Sequence, residues 1–208
     1  MIKKYGCCFF NHGGVDALLR LMEEHNIHYD AVESVKVEIP TFITKMLRFP
    51  DPKNGEDAKF SLHESLGSLL ADREMILAYI QLFTDSGAVD PRYKEARKKI
   101  NVGERTDWSG GRSAPWSMPV TVFLKNGKQF TKAVEKDLKG GSENPLSKEE
   151  LVAEHKVLVK GFLSSEQTQR TIDLIYNLEK LENVSELMKL AMFGKSKLGG
   201  LMTMWKEV

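Results

Sequence analysis

The sequence has little to offer a disulfide, a zinc knuckle or a bilayer. Its only two cysteines, Cys7 and Cys8, are adjacent, a poor geometry for a structural disulfide and no pattern for a metal. Strictly apolar runs reach only four residues, Cys7 to Phe10 among them, far below the ~20 that a membrane helix needs. Met1-Ile2-Lys3-Lys4-Tyr5-Gly6 lacks the apolar stretch of a secretory signal. An excess of one charge is also missing. Thirty Lys and Arg against 29 Asp and Glu leave +1, where a nucleic-acid footprint would need a strongly basic domain. The 208 residues carry no internal repeat, and 41% of them are hydrophobic, too many for a disordered tail. These absences describe a soluble, reduced, cytoplasmic chain with no membrane and no nucleic acid among its partners.

What is present reads as an α+β chain. Val15, Leu18, Leu19 and Met22 recur at helical spacing and predict a helix over 12–25. Val35, Val37 and Ile39 alternate with Ser34, Lys36 and Glu38, a strand with one buried face that Pro40 ends. Leu62, Leu66, Leu69 and Leu70 place a helix over 57–72, and the apolar residues from Met75 to Phe83 place a shorter one after it. Pro91 opens a helix toward Lys99, Ile100 and Val102 start a strand, and 103–115 reads as a loop. Asn126-Gly127, between the alternating runs 118–124 and 129–134, is a strong short-range hairpin signal. Gly140 to Pro145 reads as a hinge-like loop, and Ser147 with Glu150 as a capping box. Helices over 147–162, 165–181 and 185–193 follow, the middle one with an apolar stripe of Ile172, Leu174, Ile175, Leu178 and Leu181.

The chemistry-capable residues crowd the start. Lys3 can offer a point charge to a carboxylate, and Cys8 can hydrogen-bond or accept a proton if its pKa is lowered. Lying five residues apart, both could face one cavity. A solvated terminal lysine and small buried thiols explain the same residues as well. His12, before Gly13-Gly14, is either a ligand or a helix-start residue. His63-Glu64 lacks the second His that a zincin helix places four residues on, because position 67 is Gly. Neither Gly13-Gly14 nor Gly110-Gly111-Arg112 has a phosphate-loop pattern. No metal and no cofactor are expected, and these residues alone specify no activity.

Several segments together resemble one family. Lys3, Tyr5, Cys8, His12 and Asp16 are similar to the K-x-Y-x-x-C-x-x-x-H-x-x-x-D opening segment of the C-terminal half of MmgE/PrpD proteins. Pro52 with Ala58-Lys59-Phe60-Ser61-Leu62 resembles their DP…AKFSL helix start. Trp116 to Gly127 resembles their W-P-x-x-V-x-V-x-L-x-D-G hairpin, and Asn144-Pro145-Leu146-Ser147 with Glu150 the opening of their C-terminal helices. Order and spacing agree over roughly 3–190.

The resemblance implies a family of cofactor-free enzymes on di- and tricarboxylates. Its members include 2-methylcitrate dehydratase, cis-aconitate decarboxylase and iminodisuccinate epimerase. It implies an α+β domain over 1–146, C-terminal helices over 147–195 that in the family pack on a separate all-helical domain, and a tail over 196–208. The sheet is expected to be antiparallel. Met1 falls near the junction between the family's helical and α+β halves. Lys3, Cys8 and His12 are carried over as substrate-binding residues, while a tyrosine of some members appears here as Thr44. The proton-transfer residues of the helical half have no counterpart, so their identity in this chain is unknown. The expectation is one portion or subunit of a lyase or isomerase, in a homo- or hetero-oligomer with a chain supplying the helical domain. The rival expectation is a non-catalytic remnant, or a carboxylate-binding or regulatory module.

Overall fold

The alternation of Val35, Val37 and Ile39 with polar neighbours seats strand β1 (Val32–Pro40) at the centre of a four-stranded sheet. The computed structural model describes residues 2–73, 82–105, 117–135 and 137–191. β2 (Ile100–Arg105) lies on one side of β1, with β3 (Val120–Leu124) and then β4 (Gln129–Lys132) on the other. Val35 stands opposite Ile100 on one neighbour and Val122 on the other; Val37 likewise faces Val102 and Val120. One face of the sheet is thereby continuously aliphatic, and it buries against helix α1 (His12–Glu24).

The α+β class is as expected, with one difference within the sheet. β2 pairs with β1 in parallel, so the sheet is mixed rather than wholly antiparallel. Between these strands the chain makes a long helical excursion, and a connection of that kind returns a strand parallel to the one it left. Among the described residues the excursion carries α2 (Thr41–Thr44), α3 (Gly55–Lys59), α4 (Leu62–Ala71), α5 (Asp85–Ala88) and α6 (Pro91–Arg97). The single helix expected over 57–72 is two. Asn54 caps α3 by accepting from the Asp57 N–H at 2.8 Å, and Ser61 restarts the chain by accepting from the Glu64 N–H at 3.0 Å. The strand begun at Ile100 also runs on to Arg105, past the loop start expected at 103. Most of the helix expected over 75–83, most of the loop to 115 and the tail over 196–208 lie outside the described residues, and Leu82 and Phe83 stand in a turn.

The hairpin forms at Asn126-Gly127 through a turn in which only the glycine takes a left-handed conformation, φ +83°. Gly127 N–H donates to the Leu124 carbonyl at 2.9 Å, and Lys128 N–H donates to Asn126 Oδ1 at 3.1 Å. This is the type I turn with a glycine bulge that right-twisted strands accept.

Internal contacts divide the chain into two units, Met1–Leu146 and Ser147–Val208. Among the described residues the second carries the helices α7 (Lys148–Leu158), α8 (Ser165–Tyr176) and α9 (Ser185–Ala191). Ser147 and Glu150 form the capping box expected for α7, and Ser164 with Gln167 builds a second one at α8. α8 stops at Tyr176, short of the expected 181, and a 3-10 turn over Leu178–Lys180 follows. The five-residue stripe is thereby divided. Ile172 and Leu174 are buried, whereas Ile175 and Leu178 are each 47% exposed. Among the described residues no helix is long and apolar enough to cross a membrane.

Candidate functional site

Residues 2–8 run irregularly over the first unit, and burial along them is selective. Ile2, Lys3 and Gly6 are exposed, whereas Tyr5 and Cys7 point into the core at 2% and 1% exposure. A 3-10 turn over Phe9–Asn11 then feeds directly into α1, so His12 enters the interior as the helix's first residue. The Tyr5 hydroxyl donates to Asp16 Oδ1, one turn further along α1. Asp16 Oδ2 accepts the Lys139 backbone N–H at 2.7 Å, and the Arg20 guanidinium stands 3.8 Å away. A buried carboxylate is tolerated because both of its oxygens have partners.

His12 is fully buried, with the Tyr5 ring edge-on at 5.1 Å and the Phe9 ring at 5.6 Å. Its Nε2 lies 3.1 Å from the Tyr5 carbonyl oxygen. A carbonyl only accepts, so Nε2 carries the proton of the neutral ring. Burial, reinforced by the Lys3 ammonium, brings His12 down to about 4. At neutral pH this imidazole is uncharged. Cys7 is driven the other way: burial pushes its thiol up to about 11, against the pull of Ser65, Asn11 and Lys3. It is a protonated thiol, not a nucleophile.

Asn11 ties this turn to α4, its Nδ2 donating to Ser65 Oγ at 3.0 Å and to the Lys59 carbonyl at 3.2 Å. Cys8 N–H donates to the same carbonyl at 2.8 Å, while the Cys8 side chain is half-buried against the core. Asn11 Oδ1 and His12 Nδ1 are buried without a hydrogen-bond partner among the described residues.

The three residues singled out in the sequence thus occupy three environments. Lys3 is exposed, Cys8 half-buried and His12 enclosed, with the charge of Lys3 felt at His12. Thr44 hydrogen-bonds within its own turn, to the Thr41 carbonyl at 2.7 Å. Glu64, whose neighbour His63 suggested a metal motif, is held by Arg97. A cavity of ≈ 340 Å³ lined by Tyr29, Ala71, Asp72, Arg92, Tyr93 and Glu95 includes none of Lys3, Cys8 and His12. The partners that sequence reasoning missed are Asn11, Ser65, Lys139 and Gly140. Only the glycine pair Gly140-Gly141 gave any local signal there, and it read as a hinge.

Comparison with known proteins places residues 5–180 on the model of the MmgE/PrpD C-terminal domain. The chain is similar to cis-aconitate decarboxylase of Aspergillus terreus, 21% identical over 197 residues covering 91% of this chain. Cis-aconitate decarboxylase of strain NIH 2624 / FGSC A1156 matches to the same extent. The chain spans 40% of the length of these curated relatives.

Proposed function

Because this chain belongs to the MmgE/PrpD family, we propose that it is the C-terminal portion or subunit of a lyase or isomerase acting on di- or tricarboxylates. Lys3, Cys8 and His12 are its substrate-binding residues in this reading, and a helical domain on another chain, in a homo- or hetero-oligomer, completes the site. The observation that carries the proposal is the exposed Lys3 ammonium, whose charge acts on a buried imidazole that is neutral at pH 7. Removing a proton next to a carboxylate spreads further negative charge onto that carboxylate. A cation at that carboxylate stabilises the transition state more than the substrate, which is the condition for catalysis.

The same geometry supports the need for a partner. A base should titrate near the working pH. His12, at about 4, is too weak a base, and Cys7, at about 11, keeps its proton. The general base therefore comes from elsewhere in this reading.

Turnover of cis-aconitate and 2-methylcitrate by the purified chain, alone and co-expressed with a helical-domain chain, tests the proposal. No turnover alone, turnover with the partner, and its loss in Lys3→Ala are expected. Appreciable turnover by the chain alone would sink the partner requirement. That neither His12 nor Cys7 is a poised base also favours a second reading, a carboxylate-binding module without catalysis. That reading expects cis-aconitate to bind with no turnover in either setting.

A further inference from the structure

Two consecutive residues of the loop after β4 grip the chain on both sides of Lys3. On one side, the Ile2 N–H donates to the Gly140 carbonyl at 3.0 Å. On the other, the Lys139 N–H donates to Asp16 Oδ2 at 2.7 Å, and Asp16 Oδ1 receives the buried Tyr5 hydroxyl. The loop is itself braced. Gly140 N–H reaches the Asn144 carbonyl at 2.8 Å, and Gly141 N–H reaches the Leu138 carbonyl at 2.9 Å. Asn144 Nδ2 donates to the Asp137 carbonyl at 2.9 Å, and Arg20 Nη2 donates to it at 2.8 Å. Leu138, at 1% exposure, pins the loop to the core.

Gly140 admits no side chain. Its φ is +87°, and a Cβ built on it would stand 2.1 Å from the Ile2 carbonyl oxygen. Left-handed backbone and contact with the opposing main chain both demand glycine. Here the ties fall at residues 2 and 5, with Lys3 between them.

We infer that the loop over 137–145, with Gly140 at its contact point, is a positioning element that holds the Lys3 backbone in place for a substrate carboxylate. The inference rests on the reading of Lys3 given above. Lys3 then meets its ligand with its main chain already fixed, and only its side chain remains to be ordered on binding.

The test combines amide hydrogen exchange with a double-mutant cycle. Exchange is followed over 2–8 in the full chain, and cis-aconitate affinity is measured in the chain alone and with its helical partner. Gly140→Ala is expected to speed exchange over 2–8 and leave the 118–134 hairpin unchanged. It is also expected to weaken cis-aconitate binding about tenfold or more, the effect of ordering a loosened segment on binding. In a Lys3→Ala background the same substitution should cost no further affinity, a coupling that general destabilisation would not produce. Should Gly140→Ala fail to fold, Tyr5→Phe, which removes the hydroxyl tie to Asp16, takes its place in both measurements. Unchanged exchange over 2–8, or losses that simply add in the double variant, would overturn the inference alone. A wild type that binds no cis-aconitate, with or without the partner, would overturn the reading of Lys3 and this inference with it.

Discussion

The guanidinium of Arg97, at the end of α6, is spent entirely inside the first unit: Nη1 donates to the Glu64 carboxylate on α4. Nη1 also donates to the Ala88 carbonyl at 3.0 Å, and Nη2 reaches Asp51 at 3.0 Å. Glu64 is fully buried, and its burial pushes the carboxyl up to about 7, with Arg97 pulling it back. The pair joins the two helices that pack against each other behind the sheet.

Arg97→Met should therefore destabilise the chain by about 3–5 kcal/mol, because it leaves a buried carboxylate without its cation. Combining it with Glu64→Leu should recover most of the loss. Urea denaturation of the wild type, the single variant and the pair measures both. A double variant no more stable than Arg97→Met would mean that the ion pair is not the source of the loss.

The acid side of the stability profile should carry opposed contributions from His12 and Glu64. His12, near 6.5 when unfolded and about 4 when folded, contributes stability that is present above pH 6.5. That contribution is lost as the pH falls through 4. Glu64, raised to about 7 from 4.5, acts in reverse: its contribution is full below 4.5 and lost as the pH rises through 7. In the wild type the two offset each other between pH 4.5 and 6.5. The difference in unfolding free energy between wild type and His12→Gln should thus shift by about 3 kcal/mol from pH 7 to pH 4. A difference that stays constant across this range would mean that His12 titrates normally in the fold.

In the second unit, exposure separates two leucines that the sequence grouped together. Leu174 is 3% exposed and Leu178 is 47% exposed. Leu174→Asp should cost about 3 kcal/mol or more, as a charge buried without a partner does. Leu178→Asp should change stability by no more than about 0.5 kcal/mol. Thermal unfolding followed by circular dichroism distinguishes them, and equal losses would place Leu178 in the core.

Features that depend on near neighbours were legible in the sequence. The alternation through Val35, Val37 and Ile39, the Asn126-Gly127 turn and the Ser147–Glu150 cap each involve residues a few positions apart. The parallel pairing of Val35 with Ile100 was not legible, because no local pattern records which strand returns beside which. Glu64 read as part of a failed metal motif because its real partner lies 33 residues away. Within the site, the Lys3-to-Asp16 spacing was visible as a motif. The bonds that hold it come from Lys139 and Gly140, 123 residues from Asp16 in the first case. Ser61 is the one miss that nearby residues could have repaired, since Ser61 and Glu64 already carry the spacing of a helix cap.

The bond between Ile2 and Gly140, with Gly140 in turn bonded to Asn144, brings the beginning and the end of the first unit to one spot on its surface. Residues 2–144 are thereby closed on themselves, since the chain at Ile2 and the chain at Asn144 meet at one point. Neighbouring sequence could then change in length without stretching the sheet. Force applied between Ile2 and Asn144 would load the Ile2–Gly140 and Gly140–Asn144 hydrogen bonds first, ahead of the strands.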